Sequence, residues 1–244
     1  MQWQDEGVVL AARRHGESSA VVSLFTQAHG RHAGLVRGGA GRRARPVYEP
    51  GNRLRVIWRA RLADQLGAFS AELQSAIAAR LLDDPDRLAA LGAACALLEA
   101  SLPERDPHPS LYSELTRFLN VLVEKSGWPE RYVRFELALL AELGFGLDLA
   151  ACAVTGQTTD LAYVSPRSGR AVSRQGAGNY ANRLLPLPDF LLGGEPAEPA
   201  QIQAGLRLTG AFLRRHLFDA SERAMPNARE RLVRQLARST PSLA

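Results

Sequence analysis

The sequence predicts an α+β protein, with a small β-barrel first and a mainly helical part after it. Three observations predict this. The first seventy or so residues are short β-branched runs separated by glycine-containing turns, the pattern of a small all-β unit. From about residue 74 the apolar residues recur at steps of three and four, the helical period. Residues 152–176, "CAVTGQTTDLAYVSPRSGRAVSRQG", interrupt that period with turn residues and read as a hairpin excursion.

The barrel elements come in order. "GVVLAARR" and "AVVSLF" are bounded by the turn material "HGESS" and "HGRHAG". In "RLRVIWRARL", Leu54, Val56, Trp58, Ala60 and Leu62 alternate with Arg53, Arg55, Arg59 and Arg61, broken only by Ile57. One face of such a strand is buried and the other is cationic. Five or so strands with glycine-rich turns and no early helix make an OB-fold the natural candidate.

The helices follow. Asp84 and Pro85 suit an N-cap and first helical position, and Leu88, Leu91, Cys95, Leu98 and Leu102 then form one stripe. Cys95 is thereby a core thiol. A second helix follows Pro109 with Leu111, Leu115, Phe118, Leu119 and Leu122 in line, and a third runs from near Pro129 to Gly144 and Gly146. These three are expected to form an antiparallel bundle. Residues 199–218 give another amphipathic helix, and Asn227 with Glu230 suggests a capping box for a last helix ending near Arg238. The expected boundaries are 1–75 for the barrel, 76–150 for the bundle, 151–185 for the hairpin module and 186–244 for the closing helices.

Charge is segregated. Residues 1–61 carry 11 arginines against 4 acids, residues 62–152 carry 7 basic against 14 acidic residues, and residues 153–244 carry 12 against 7. A cationic N-terminal part suggests a polyanion partner. No apolar run approaches the ~20 residues of a membrane span, and "MQWQDEGVVL" has acids where a secretory peptide has a basic region. A cytoplasmic, nucleoid-associated protein is expected. Cys95 and Cys152 are far apart and imply no disulfide framework.

The stretch "LVRGGAGRRARPVYEPGNRL", residues 35–54, invites comparison with a phosphate cradle. A P-loop needs Lys-Ser or Lys-Thr after its glycines and a helix behind them. Neither is present, and Pro46 and Pro50 forbid the helix. The loop instead offers Arg37, Arg42, Arg43 and Arg45 on a glycine-softened backbone, either as a solvated turn or as a DNA-backbone contact. The following strand continues the charge through Arg53, Arg55, Arg59 and Arg61, which favours the contact. Tyr48 beside the loop is the one ring offered for stacking on a base, while Trp58 and Phe25 suit the core. The histidines at 15, 29, 32, 108 and 216 have no ligand spacing, and no HExxH, GxSxG or paired-carboxylate motif is present. No catalytic centre and no cofactor are expected.

Three segments are specific together: "EGVVLAARRHGESSAVVSLFTQAHGRHAGLVRGG", "RFELALLAELGFGLDLAACAVTG" and "YVSPRSGRAVS". Their order over essentially the whole chain resembles the bacterial RecO recombination-mediator family. The resemblance implies an N-terminal OB-fold, a helical domain and a zinc-ribbon-like module. It implies a non-enzymatic protein that binds single- and double-stranded DNA and anneals complementary strands. With RecR, it helps RecA replace single-strand-binding protein (SSB). Zinc-containing relatives carry two Cys-x-x-Cys pairs. Here Cys152 is followed by Thr155 where a thiol would stand, and "SPRS" offers only Ser165 and Ser168, so a degenerate, zinc-less module is expected.

The resemblance also implies that the acidic C-terminal tail of SSB docks on the helical domain. Arg131 and Arg134, at i, i+3 beside Tyr132 and Phe135, are the expected receptor, with Arg117 as the alternative patch. The competing reading of Arg134 is an i, i+4 ion pair with Glu130. At the level of function, the alternative is an OB-fold RNA-binding protein of translation.

Overall fold

Strand β1 (Gln2–His15) is long because it serves both ends of a closed sheet. It pairs antiparallel with β2 (Ser19–Thr26) and with β4 (Arg53–Arg59). A bulge between Val9 and Ala11 lets it bend between the two partners. With β3 (Gly30–Val36) and β5 (Ala68–Ser75) the order is β1–β2–β3–β5–β4, closed by a parallel contact of Leu35 with Ala68. This is the expected OB-fold barrel. Val9, Val22, Leu24, Leu54, Val56, Trp58 and Phe69 fill it. The computed structural model describes residues 1–194 and 197–238, so the end of the expected 186–244 segment lies outside the described residues.

Gly7–Leu10 and Val22–Thr26 are buried without alternation, because a second layer covers their outer faces. Helix α1 (Ile77–Arg80) is a single turn, followed by α2 (Pro85–Ser101) and α3 (Pro109–Glu124). Cys95 of α2 reaches the Val9 carbonyl at 3.6 Å, and burial pushes its thiol up to about 12. Tyr112 of α3 meets Phe25 edge-on at 5.6 Å. Asp84 caps α2 by accepting from the Arg87 backbone N–H at 3.1 Å. Buried Arg87 bonds the Asp84 carboxylate at 2.7 Å and the Leu122 carbonyl at 2.7 Å, tying α2 to the end of α3.

A second docking point lies at the start of β3. Gly30 has φ +63° and lies against the Asp106 backbone, while Arg105 donates its N–H to the Arg31 carbonyl at 2.7 Å. The segment between α2 and α3 is thus laid directly on the barrel edge.

The chain divides into two compact units, Met1–Lys125 with Pro226–Leu232, and Ser126–Met225 with 233–238. The division falls inside the segment expected as a three-helix bundle. Helices α2 and α3 pack with the barrel, and α4 (Trp128–Glu142) packs with α6 (Pro199–Leu213). The physical reason is the apolar outer face of β1 and β2, which takes up α2 and α3.

The second unit also holds β6 (Leu161–Val164), β7 (Ala171–Ser173), the short helix α5 (Arg174–Ala177) and β8 (Leu185–Pro186). The hairpin excursion is therefore a three-stranded sheet, ordered β7–β6–β8. Helix α7 (Asn227–Arg238) begins one residue earlier than a box on Asn227 requires. The Pro226 carbonyl accepts from Arg229 and Glu230, which places Asn227 inside the first turn. No helix of the described residues is long and apolar enough to cross a membrane.

Candidate nucleic-acid interface

The link from β3 to β4 folds over one end of the barrel as turns and a 3-10 turn, Arg45–Tyr48. Gly38 supplies φ +72° for the first turn, and the Ala40 N–H donates to the Ser18 carbonyl at 2.9 Å. That bond fastens the link to the β1–β2 turn. Arg37, Arg42 and Arg43 are exposed, and among the described residues their guanidiniums have no hydrogen-bond or ion-pair partner. Arg45 is nearly as free, with Glu49 at 3.9 Å across an exposed pair, which contributes little stability.

The structure adds residues that the spacing did not point to. Arg14 and Arg45 line the same cleft of about 310 Å³, together with Ala12, Ala20 and Tyr48. Among the described residues Arg14 donates only to the carbonyls of Gly16 and Glu17, at 3.2 and 2.7 Å, and meets no carboxylate. Arg13 is exposed one residue before it. "RRHGES" is the signal for both, but only the hairpin geometry brings Arg14 beside a loop some thirty residues further on, while Arg13 lies 3.9 Å from Glu99 of α2.

The strand arginines are placed differently. Leu54, Val56 and Trp58 point inward, and Arg53, Arg55 and Arg59 point outward, as the alternation predicts. The strand ends at Arg59, however, so Arg61 and Leu62 lie in the following loop, and Leu62 is 50% exposed. The outward row is also not purely cationic. Arg55 has Glu6 and Glu72 as its cross-strand neighbours, Arg53 lies 3.7 Å from Glu6, and Arg59 bonds the Gln2 side chain at 2.9 Å. Opposite charges directly across a sheet pair with one another, so this face offers a polyanion less than its arginine count suggests.

Tyr48 is a correction. It is 8% exposed and packs in the barrel core, and burial raises its pKa. Pro46 lies within the 3-10 turn and Pro50 just after it, and at this burial the ring is spent on the core rather than offered to a base. Trp58 and Phe25 are core residues, as expected.

The expected receptor for an acidic tail is also rearranged. Tyr132 and Phe135 are fully buried, so Phe135 supplies core rather than an apolar surface notch. Arg134 is half-buried, donates to the Phe190 carbonyl and lies 5.8 Å from the Phe190 ring centre. Among the described residues the alternative pair with Glu130 is not made; the Glu130 carboxylate accepts from the Ala197 N–H at 2.6 Å. Arg117 is engaged with Glu114.

Comparison with known proteins agrees with this architecture. Residues 1–76 match the family model "Recombination protein O N terminal" and residues 82–224 match "Recombination protein O C terminal". The chain is 53% identical over 241 residues to "DNA repair protein RecO" of Cereibacter sphaeroides (strain KD131), covering 98% of this chain and 100% of that relative. It is 52% identical over 235 residues to the protein of the same name from Rhodospirillum centenum, covering 96% and 94%. The Rhodospirillum rubrum relative is 51% identical over 247 residues, covering 98% and 97%.

The chain belongs to the RecO family.

The zinc that some RecO-family members hold can be tested against this chain's own donors. Cys152 Sγ accepts from the backbone N–H groups of Val154 and Thr155 at 3.4 Å each. It also accepts from the Ser173 N–H at 3.2 Å and the Ser173 hydroxyl at 3.3 Å. A Cβ on Gly176 would stand 2.9 Å from that sulfur. The residues gathered at this sulfur are therefore Thr155, Ser173 and Gly176. This corrects the expectation for Ser165 and Ser168, which sit at the tip of the β6–β7 turn and bond one another. One thiolate, two hydroxyls and a glycine do not fit structural zinc.

The end of β7 and the start of α5 are instead fastened to the sulfur by the hydrogen bonds of Ser173. Burial pushes the Cys152 thiol up, but the bonds from Ser173 and Thr155 outweigh it and bring the thiol down to about 6. A thiol held below its ordinary value adds stability that is complete above that ordinary value and lost as pH falls through about 6.

Thiolate absorbance near 240 nm is therefore expected to titrate near pH 6, with Cys95, at about 12, silent. Ser173→Ala is expected to raise the midpoint by about one unit. Protein purified without chelator is expected to hold no stoichiometric zinc. One zinc per chain by elemental analysis would overturn this reading.

Proposed function

We propose that this DNA repair protein binds single- and double-stranded DNA through its N-terminal barrel and anneals complementary strands. With RecR, it helps RecA load on SSB-coated DNA. The observation that supports this best is the set of uncompensated guanidiniums at one end of the barrel, from Arg37, Arg42, Arg43 and Arg14. Such a set binds backbone without reading sequence, which is what an annealing protein requires. The role is non-catalytic. The testing experiment is annealing of complementary, SSB-coated oligonucleotides, in which the protein is expected to accelerate duplex formation. No acceleration would overturn the annealing role, and preference for RNA over matched DNA in competition would move the protein to RNA.

The SSB tail is proposed to use Arg134, whose charge is met by a carbonyl rather than a carboxylate. A free C-terminal carboxylate is the stronger acceptor for that guanidinium. Arg134→Ala is expected to weaken an SSB-tail peptide while bare DNA binding stays intact, with thermal unfolding measured in parallel. Equal peptide affinity in variant and parent would move the site elsewhere, first to Arg117.

A further inference from the structure

The second unit carries an aromatic platform of its own. Helix α4 ends at Glu142, Gly144 just beyond it takes φ +86°, and the following Phe145 N–H donates to the Leu140 carbonyl at 2.8 Å. Phe145 is left 36% exposed. Its inner face stacks on His216 at 4.7 Å and 19°, and His216 in turn stacks at 6.0 Å and 7° on buried Phe212. His216 is presented by a π-helical turn, Arg214–Phe218, that follows α6, and such turns recur at functional sites. Burial and neighbouring Arg215 lower the His216 pKa, so the middle ring is a neutral π surface.

Cations border the platform. Arg215 donates to the Pro166 carbonyl at 2.6 Å and the Arg167 carbonyl at 3.5 Å, locking the tip of the β6–β7 turn. Arg167 at that tip is exposed and has no side-chain partner among the described residues. The same turn is held to the rings, since a Cβ on Gly169 would lie 3.6 Å from Phe212. Arg170 meets Asp148 at 3.2 Å, both about half exposed. Carbonyl acceptors do not cancel charge, so Arg167 and Arg215 remain net cations on the turn that packs against Phe212.

We propose that Phe145, backed by His216 and Phe212 and bordered by Arg167 and Arg215, is a second contact site for single-stranded DNA, stacking one unpaired base. The ring supplies a flat π face, which every base can use, and the arginines meet the adjoining phosphates. A duplex hides its base faces, so the site discriminates for unpaired strands. The inference rests on the DNA-binding reading above.

The test uses the full chain with oligo-dT, a matched oligonucleotide of abasic sites and a blunt duplex. Phe145→Ala and Phe145→Leu are expected to weaken oligo-dT binding about tenfold, leaving the abasic strand and the duplex unchanged. Phe145→Tyr is expected to restore the parent affinity. Phe145→Trp is expected to show emission quenching on oligo-dT that the parent lacks. Arg167→Ala with Arg215→Ala is expected to weaken the abasic strand as well. Leucine keeps apolar bulk without a π face, so equal oligo-dT affinity of Phe145→Leu and parent would overturn the platform. If the parent itself binds no single strand, the DNA-binding reading falls instead.

Discussion

Replacing Arg42, Arg43 and Arg45 together by alanine is expected to flatten the salt dependence of single-strand binding by about two units of slope. Each phosphate neutralised on a single strand contributes a slope of about −0.7, so three lost contacts account for the change. All sequences should weaken alike, because the contacts are to backbone. The matched control replaces Arg53, Arg55 and Arg59. Those side chains already face Glu6, Glu72 and Gln2, so removing them should change the slope by less than about one unit. Binding titrations from low to moderate salt measure both. An unchanged slope in the loop variant would return residues 37–45 to a solvated turn.

Gly30→Ala is expected to be among the most damaging single substitutions in the barrel, costing roughly 3–5 kcal/mol. Two penalties combine. The residue holds φ +63°, and the new Cβ would lie 1.9 Å from the Asp106 carbonyl oxygen and 2.4 Å from its carbon. A backbone neighbour cannot swing away as a side-chain tip can. Relief requires lifting the segment in which Arg105 bonds the Arg31 carbonyl. Gly16→Ala is the comparison, with φ +64° and nothing within 4 Å of its Cβ. It should cost only the left-handed penalty of about 1–2 kcal/mol. Urea unfolding of the two variants side by side checks the argument, and equal losses would refute the role of the Asp106 contact.

The sequence carried the barrel well and the helical packing poorly, and the same residues explain both. Alternation in Arg53–Arg59 is a one-face signal, and the structure places Leu54, Val56 and Trp58 inside as that signal requires. "GVVL" and "VVSLF" lack alternation because both faces are covered, one by the barrel core and one by helices. That absence already hinted that α2 and α3 belong to the barrel. Apolar stripes on the helices could not show it, since a stripe gives no address for what it packs against.

The candidate site divides along the same line. Exposure of Arg37, Arg42 and Arg43 was legible from glycine and proline content. The neutralising effect of Glu6 and Glu72 depends on cross-strand register, and the arrival of Arg14 depends on the hairpin. Tyr48 and Phe135 were misjudged because an aromatic beside arginines fits a core and a surface equally well. The surroundings of Cys152 were half legible: Thr155 by local spacing, Ser173 and Gly176 only once β7 and α5 are folded back onto the sulfur.

The sulfur-centred fastening of that segment has a bearing on supply. A metal-held hairpin folds only when the cell can spare an ion, and it opens when a chelator or an oxidant removes one. Cys152 gathers its donors from the chain itself, so this part of the protein is expected to mature under zinc starvation. Oxidising conditions would have no ion to eject from it. For a DNA repair protein, a module held in this way would fold without waiting on a metal supply.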